Sequence, residues 1–314
     1  MAKITQIARI RIAPRMKIPA FLKKGDKVAI VCPASFLGGG IDIALEVLTG
    51  WGLQVQVGET VSAQFHRFAG TDELRRKDLQ TALDDPEIKA IFAARGGYGT
   101  VRIIDQLDFS QFQQHPKWLV GFSDVTVLHS HLQHQLGICS IHGQMPKSFD
   151  ESSKEALDSL KQALFGESIT PLNFQETSLN RPGKARGLLI GGNLAILHSI
   201  LASPSDGPFD DKILFIEDVG EQLYNLDRML WALKRAGKFA RLKGLVVGAF
   251  TSLKDSAPAF GQRVEEIIMD KVVAYDFPVA FGFPAGHIAN NHSLVLGREV
   301  QLSVQKDTAS LSYG

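Results

Sequence analysis

Ser123 lies where an apolar run ends and a helical pattern begins, which is the setting of many catalytic serines. The run Trp118-Leu119-Val120-Gly121 predicts a strand, and the residues after Ser123 have the spacing of a helix. A sharp turn between the two can present a hydroxyl above the carboxyl edge of a sheet, where backbone N–H groups are free to bind an oxyanion. The usual pattern has a second glycine two residues after the serine, where this chain has Val125. The residues alone therefore leave two interpretations open, a nucleophilic Ser123 and a helix cap formed by Ser123 or Asp124.

A glycine-rich turn, Arg95-Gly96-Gly97-Tyr98-Gly99-Thr100, follows another predicted strand. Glycines let backbone N–H groups approach a ligand closely, and the N-terminus of a following helix attracts negative charge. The turn could hold a phosphate, a carboxylate or an oxyanion, or it could be only a tight connection between a strand and a helix. It matches neither G-x-G-x-x-G nor G-x-x-x-x-G-K-[ST], and neither pattern occurs elsewhere, which argues against a nucleotide site.

Acids and histidines that could assist a nucleophile lie in the second half of the chain. Glu217 and Asp218 end an apolar strand, a place where catalytic carboxylates often lie, although solvated acids would give the same pattern. His287 and His292 belong to a loop rich in Gly, Pro and Asn. A histidine in such a loop can act as a general base if a carboxylate orients its ring, and it can equally be a surface or packing residue.

The nine histidines and two cysteines do not form a metal motif. Three histidines share one predicted helix, but no acid lies between them and H-E-x-x-H is absent; they are His129, His131 and His134. Cys32 and Cys139 are too far apart for a C-x-x-C pair and too few for a disulfide framework, and their apolar surroundings predict buried free thiols. The sequence therefore predicts no metal site.

Alternating strands and helices must position these groups. Strands predicted at 27–31, 53–57, 88–93 and 117–121 are separated by helices, which favours an α/β fold with parallel pairing through right-handed crossovers. A more polar stretch follows, and then the alternation resumes until a tail that predicts hairpins. The organisation we expect is an N-terminal arm at 1–26, an α/β domain with the nucleophile at 27–150, a linker at 151–186, and an α/β domain with the glutamate and histidine at 187–314.

Composition and charge narrow the class of protein. The chain has 314 residues, 45% of them apolar, and its 34 basic and 33 acidic residues give a formal net charge of +1. This is the profile of a globular protein with a sizeable core, and it argues against nucleic acid and membrane partners. The N-terminal segment lacks the apolar region and cleavage site of a secretory signal, and no run approaches the roughly 18 apolar residues of a membrane helix. We expect a cytoplasmic protein.

Taken in order, these motifs resemble the serine LD-carboxypeptidase family, also called murein tetrapeptide carboxypeptidases. The matching segments span roughly residues 27 to 300; they are Val28-Ala29-Ile30-Val31 with Pro33-Ala34-Ser35, Ala69-Gly70-Thr71-Asp72, Arg95 to Gly99, Gly121 to Thr126, His142-Gly143-Gln144-Met145, Gly191-Gly192-Asn193-Leu194, Glu217 to Glu221, Asp227-Arg228-Met229-Leu230 and Gly286-His287. Two departures lie near the presumed site. Gln144 stands where proline is expected after His-Gly, and Ile288 stands where a small residue often follows Gly-His.

The resemblance implies a fold and a set of residue roles. The fold is a flavodoxin-like N-terminal lobe with a parallel sheet and a smaller α/β C-terminal lobe, in a chain that forms homodimers. The implied triad has Ser123 as nucleophile, His287 as base and Glu217 as orienting acid, and it requires no cofactor. The backbone N–H groups of Gly97 and Asp124 are the expected oxyanion hole. The remaining predicted substrate-binding residues are the adjacent Arg95 and Gly96, with Arg95 placed to meet a terminal carboxylate.

The implied reaction removes the terminal D-alanine from a murein tetrapeptide, a small peptide of cell-wall recycling, by cleaving an L,D-peptide bond. Two alternatives remain at this point. One is an immunity-type serine peptidase that hydrolyses a peptide-nucleotide antibiotic. The other is a non-catalytic module that binds an anion or another ligand, in which Ser123 only caps a helix.

Overall fold

Two sheets flanked by helices make up the computed structural model, which describes residues 16–167, 172–175 and 179–314. The first 15 residues of the predicted N-terminal arm lie outside the described residues, as do positions 168–171 and 176–178 of the predicted linker. Across the described part of the chain, no helix is both long enough and apolar enough to cross a membrane.

The first sheet has the parallel strands that the sequence predicts. From one edge to the other it contains β11 (Leu294–Leu296), β5 (Ser140–His142), β4 (Trp118–Gly121), β3 (Ile88–Ala93), β1 (Lys27–Val31) and β2 (Gln54–Val57). All of them pair in parallel except β11, which is antiparallel to β5. The α/β fold class is therefore confirmed.

Both faces of the first sheet are covered. Its helices are α1 (Asp42–Gly50), α2 (Asp72–Asp84), α3 (Ser110–Gln114), α4 (Thr126–His131) and α5 (Lys154–Phe165). Successive strand residues point to opposite faces, so Ile30 packs in the same layer as Leu48 of α1 while Val31 packs in the same layer as Leu79 of α2. Burial on both faces explains why the central strands are almost continuously apolar.

The second sheet is mixed. Its order is β10 (Val279–Ala280), β9 (Gly244–Thr251), β8 (Ile213–Val219), β7 (Gly183–Asn193), β12 (Glu299–Val304), β13 (Thr308–Tyr313) and β6 (Leu172–Gln175). The four strands from β10 to β7 are parallel and the others are antiparallel. Three helices accompany it, α6 (Leu194–Ser199), α7 (Leu223–Arg235) and α8 (Val264–Val272).

The tail differs in one respect from the expected hairpins. Strands β12 and β13 do form one, but β11 crosses to the first sheet, where Leu294 pairs with His142 and all three of its residues are buried. This pairing covers the edge of β5, whose backbone groups would otherwise lack partners. As a result, the loop that carries His287 begins after β10 in the second sheet and ends at β11 in the first.

The predicted site residues share one kind of position in the two sheets. Ser123 follows β4 and the glycine turn follows β3, while Glu217 lies in the last part of β8 and His287 follows β10. Each position is at the carboxyl end of a parallel strand, the edge at which open α/β sheets bind their ligands.

Candidate active site

The backbone at Ser123 is held in a strained conformation. Its φ is +62°, a left-handed value that side chains other than glycine rarely adopt, and it stands between the buried strand β4 and a 3-10 turn, Ser123–Val125, that leads into α4. This strained strand-to-helix turn is the geometry that exposes a nucleophilic serine. The residues at the N-terminal ends of the turn and of α4, Phe122 and Val125, make no side-chain cap, so no described contact supports the helix-cap interpretation.

The carboxylate of Asp124 connects the serine turn to the end of the glycine turn. It is almost fully buried, and its Oδ2 accepts a hydrogen bond of 2.9 Å from the backbone N–H of Thr100, at the end of the glycine turn. Burial raises the pKa of Asp124, and the hydrogen bonds that its carboxylate accepts from Thr100 and from the backbone of Gly99 partly lower it again. The backbone N–H of Asp124 itself is near the start of a helix, where such groups have no partner inside the helix. The side chain therefore holds the end of the glycine turn against the turn that carries Ser123.

The glycine turn packs directly against the serine. A Cβ at Gly96 would lie 3.1 Å from the Cβ of Ser123, a tight contact that any larger residue could make only if Ser123 shifted by a few tenths of an ångström. Gly97 has a φ of +97°, and a Cβ there would overlap the hydroxyl of Ser35. That hydroxyl accepts a hydrogen bond of 3.1 Å from the N–H of Tyr98. The turn is thus fixed with Gly96 against Ser123 and Gly97 against Ser35, and the oxyanion hole at Gly97 and Asp124 stays a prediction.

Arg95 points back into its own lobe. Its Nη1 donates to the backbone oxygens of Phe36 at 2.6 Å and Leu37 at 3.4 Å, and its guanidinium lies over the Phe36 ring. Both bonds come from Nη1, and no hydrogen bond from Nε or Nη2 occurs among the described residues. Nothing tests its predicted contact with a substrate carboxylate, which stays a prediction.

Glu217 and His287 are in direct contact. The Nδ1 of His287 lies 2.7 Å from Oε2 of Glu217, and the glutamate is fully buried while 22% of the histidine side chain is exposed. The backbone passes close to the carboxylate at Gly286, where φ is +125° and a Cβ would lie 2.9 Å from Oε2. Because Nδ1 faces a carboxylate, its proton is held there and Nε2 is the nitrogen left to accept another.

The His287 ring lies beside the serine turn. Its centroid is 4.9 Å from that of Phe122, the residue before Ser123, in an edge-on arrangement. The histidine that contacts Glu217 in the second sheet therefore also contacts the residue before Ser123 in the first. His292, the second histidine of the loop, lies elsewhere and lines a different pocket with Glu155 and Asp158.

Asn193 and Asp218 complete the surroundings of Glu217. The sequence indicated Asp218 as a candidate carboxylate beside Glu217, but it assigned Asn193 no role in the site. The Nδ2 of Asn193 donates to Oε1 of Glu217 at 3.3 Å and to Oδ1 of Asp218 at 2.9 Å, and its backbone N–H donates to the hydroxyl of Thr126 at 3.0 Å. Burial raises the pKa of Asp218 to about 7. The available signal was the position of Asn193, at the end of a strand and just before a helix that it caps.

A pocket of about 280 Å³ opens next to the histidine. Apart from His287, its walls come from both lobes; they are Phe122, Gln144, Ser148, Glu151, Ile288 and Ala289. Pockets that hold drug-sized ligands have about 300–1,000 Å³, so this one is slightly smaller than that range.

Comparisons with known proteins agree with the resemblance seen in the sequence. The model of the LD-carboxypeptidase N-terminal domain matches residues 28–143, and that of the LD-carboxypeptidase C-terminal domain matches residues 186–302. A probable murein peptide carboxypeptidase of Bacillus subtilis is 34% identical, with 94% of each chain covered. The murein tetrapeptide carboxypeptidase of Pseudomonas aeruginosa is 32% identical over 88% of this chain and 92% of its own.

A solved structure shares the overall arrangement. The crystal structure of muramoyltetrapeptide carboxypeptidase from Oxalobacter formigenes superposes with a TM-score of 0.83 at 28% identity, covering 92% of this chain and 98% of that one.

Proposed function

The chain belongs to the LD-carboxypeptidase family, and we propose that it is a serine carboxypeptidase that removes the terminal D-alanine of murein tetrapeptides in cell-wall recycling. The observation that carries the serine mechanism is the strained Ser123 beside a histidine whose Nδ1 is held 2.7 Å from a buried glutamate. A helix cap needs neither that backbone strain nor that histidine.

In the proposed mechanism His287 accepts the proton of Ser123 through Nε2 as the serine oxygen attacks the peptide carbonyl carbon. Glu217 keeps the other ring proton on Nδ1 and stabilises the imidazolium that forms. The tetrahedral oxyanion is bound by the N–H groups of Gly97 and Asp124, each contributing about 2.7–4 kcal/mol if it acts like other such donors. The imidazolium then protonates the leaving amine of D-alanine, and water hydrolyses the acyl-enzyme with His287 as base.

A carboxypeptidase must also bind the free carboxylate of its substrate. Arg95 is the candidate, since it directly precedes the glycine turn and its Nη2 and Nε, which donate to no described residue, can form a two-point contact with a carboxylate. Gly96 would line the same position. The turn that follows Arg95 is held by Ser35, whose N–H donates to the carbonyl of Gly96 and whose hydroxyl accepts from the N–H of Tyr98, so the arginine is attached to a fixed backbone.

The wider setting of the enzyme is also a proposal. We expect the first lobe, 27–150, and the second, 187–314, to act as one catalytic unit, because the nucleophile lies in the first and its base and acid lie in the second. Homodimer formation and a cytoplasmic location follow from the family resemblance and the sequence. Light scattering after gel filtration tests the first, and cell fractionation tests the second.

Release of D-alanine from a purified muropeptide tetrapeptide, by the wild type and by Ser123→Ala, tests the function. Loss of a nucleophile in a triad should lower kcat by about 10⁶-fold. Ser199→Ala is the matched control, because its hydroxyl only bonds the carbonyl of Ile196 on an exposed helix. Undiminished release by Ser123→Ala would refute the serine mechanism. If the wild type leaves the tetrapeptide intact but cleaves a peptide-nucleotide conjugate, the antibiotic-hydrolysing alternative replaces this proposal.

A further inference from the structure

Gln144, where the chain departs from the expected His-Gly-Pro pattern, bridges the two lobes at the active site. Its Nε2 donates to the backbone oxygens of Ile288 at 3.3 Å and Ala289 at 3.1 Å, directly after His287. Its Oε1 accepts a hydrogen bond of 3.1 Å from the hydroxyl of Ser148. The side chain is buried, so each of these polar groups is used away from water. A proline could make none of these contacts.

The backbone next to Gln144 is fixed to the strand that carries the nucleophile. The N–H of Gly143 donates to the carbonyl of Gly121 at 3.2 Å, two residues before Ser123. The amide of Gln144 therefore extends from the first sheet, close to the serine turn, to the loop that holds the base.

The loop itself is anchored from two sides. On the side of the second sheet, the N–H of Ala249 donates to the carbonyl of Ala285 at 2.8 Å, and the hydroxyl of Thr251 contacts the carbonyl of His287 at 3.5 Å. These bonds place His287 relative to Glu217, whose strand pairs with that of Ala249. They do not place it relative to Ser123, which belongs to the other sheet.

We infer that Gln144 is a positioning residue that sets the placement of His287 relative to Ser123. This inference rests on the proposed function, because it requires proton transfer between these two residues. Misplacing a catalytic group by about 1 Å can lower a rate by about 10²-fold. Removing the amide leaves the carbonyl of Ile288 without this partner and leaves the carbonyl of Ala289 with the N–H of Ser153, at 3.0 Å. The loop then keeps its contacts with Glu217 while losing this link to the strand that carries Ser123.

The test compares Gln144→Ala, Gln144→Pro and Gln144→Glu with the wild type. We expect kcat for D-alanine release to fall about 10- to 100-fold in each at pH 8, with KM changed less than about threefold. Gln144→Glu adds a readout that a purely structural role would not affect. An ionised carboxylate cannot donate to the two carbonyls, but a protonated one can donate once, so the ratio of its kcat to that of the wild type should rise as pH falls.

Labelling of Ser123 by a serine-directed phosphonate measures the same geometry without the peptide, and its rate should fall with kcat. Ser153→Ala is the matched control. Its hydroxyl holds the same loop at Asn290, at 2.8 Å, and caps α5, so we expect lower thermal stability with unchanged kcat.

The outcomes separate the inference from the proposed function. Rates of labelling and turnover within about twofold of the wild type in Gln144→Ala and Gln144→Glu, with only the melting temperature lowered, would overturn the inference. A wild type that releases no D-alanine, but whose labelling slows in the Gln144 variants, would support the inference and reject the substrate. A wild-type Ser123 that resists the phosphonate would reject both.

Discussion

Replacing Glu217 by glutamine keeps the size of the side chain in the proposed triad but replaces one acceptor oxygen by an NH₂ donor. The carboxylate accepts on both oxygens, since Oε2 faces Nδ1 of His287 at 2.7 Å and Oε1 faces Nδ2 of Asn193 at 3.3 Å. A glutamine amide has one acceptor and one donor, so it cannot accept from both neighbours. Because the side chain is fully buried, no water can replace the missing partner.

The neighbouring hydrogen bonds determine which way round the amide of the glutamine at position 217 lies. The amide of Asn193 is fixed by Asp218 at 2.9 Å and by the N–H of Ile196, which donates to its Oδ1 at 3.1 Å. Its Nδ2 therefore keeps pointing at position 217, and the glutamine must turn its oxygen towards it. The NH₂ group then faces His287, whose Nδ1 has to accept, so the ring proton moves to Nε2. Such a histidine cannot take a proton from Ser123.

The expected loss is about 10⁴-fold in kcat, the effect of the equivalent acid-to-amide change in other serine-protease triads, or about 5.4 kcal/mol. D-Alanine release measures it, and a melting temperature close to that of the wild type confirms the fold. Adding Asn193→Ala frees the amide to turn its oxygen towards His287, so the double variant should lose less than the two single losses multiplied. A Glu217→Gln enzyme that keeps more than about a tenth of wild-type kcat would refute the assigned tautomer.

Two further predictions concern residues close to the site. Burial lowers the pKa of His129 to about 4, below the ordinary 6.5, so the unfolded chain binds more protons at acidic pH and stability falls as pH drops from 6.5 towards 4. Between pH 7 and pH 5 this residue should account for about 2 kcal/mol of the decrease in the free energy of unfolding. Urea unfolding of the wild type and of His129→Gln at both pH values measures this contribution. An equal decrease in the two proteins would contradict the prediction. Gly286→Ala should reduce kcat at least about tenfold, because the added Cβ would lie 2.9 Å from the Glu217 carboxylate at a φ of +125°. Gly220→Ala, with a similar positive φ but no atom within 4 Å of the added Cβ, is its control and should keep wild-type kcat.

Periodic patterns were sufficient to predict the parallel core. Strands β1, β3 and β4 are buried on both faces, so their apolar runs identify them within about a residue. β5 was not predicted, because a strand of three residues is too short for any period to be visible, and its identity depends on pairing with β4 and β11. The helix expected after the glycine turn is instead a pair of 3-10 turns, Thr100–Arg102 and Ile104–Gln106.

The candidate site could be predicted in part. Ser123, Glu217 and His287 each end or follow an apolar strand, which local patterns reveal, and the resemblance supplies their order. Their partners could not be found in this way. The bond from Asn193 to Glu217 joins two strands that pair only in the folded sheet, and the bond from Gln144 to Ala289 joins residues 145 positions apart. Hydrogen bonds of such separation leave no local pattern.

The crossing of β11 to the first sheet explains why contacts between residues distant in the sequence determine the position of His287. In the proposed mechanism the nucleophile Ser123 follows a strand of the first sheet and the acid Glu217 lies on a strand of the second, so His287 must be placed correctly against both. A loop with both ends in the second sheet would place His287 correctly against Glu217 wherever the first sheet lay. Here β11 pairs with β5, next to β4, and the loop is drawn towards the serine strand at its far end. Gly286 lets it pass the buried carboxylate, and Gln144 holds it shortly after His287. The geometry of proton transfer therefore depends on packing between the lobes, and substitutions at that contact should lower kcat before they lower substrate affinity.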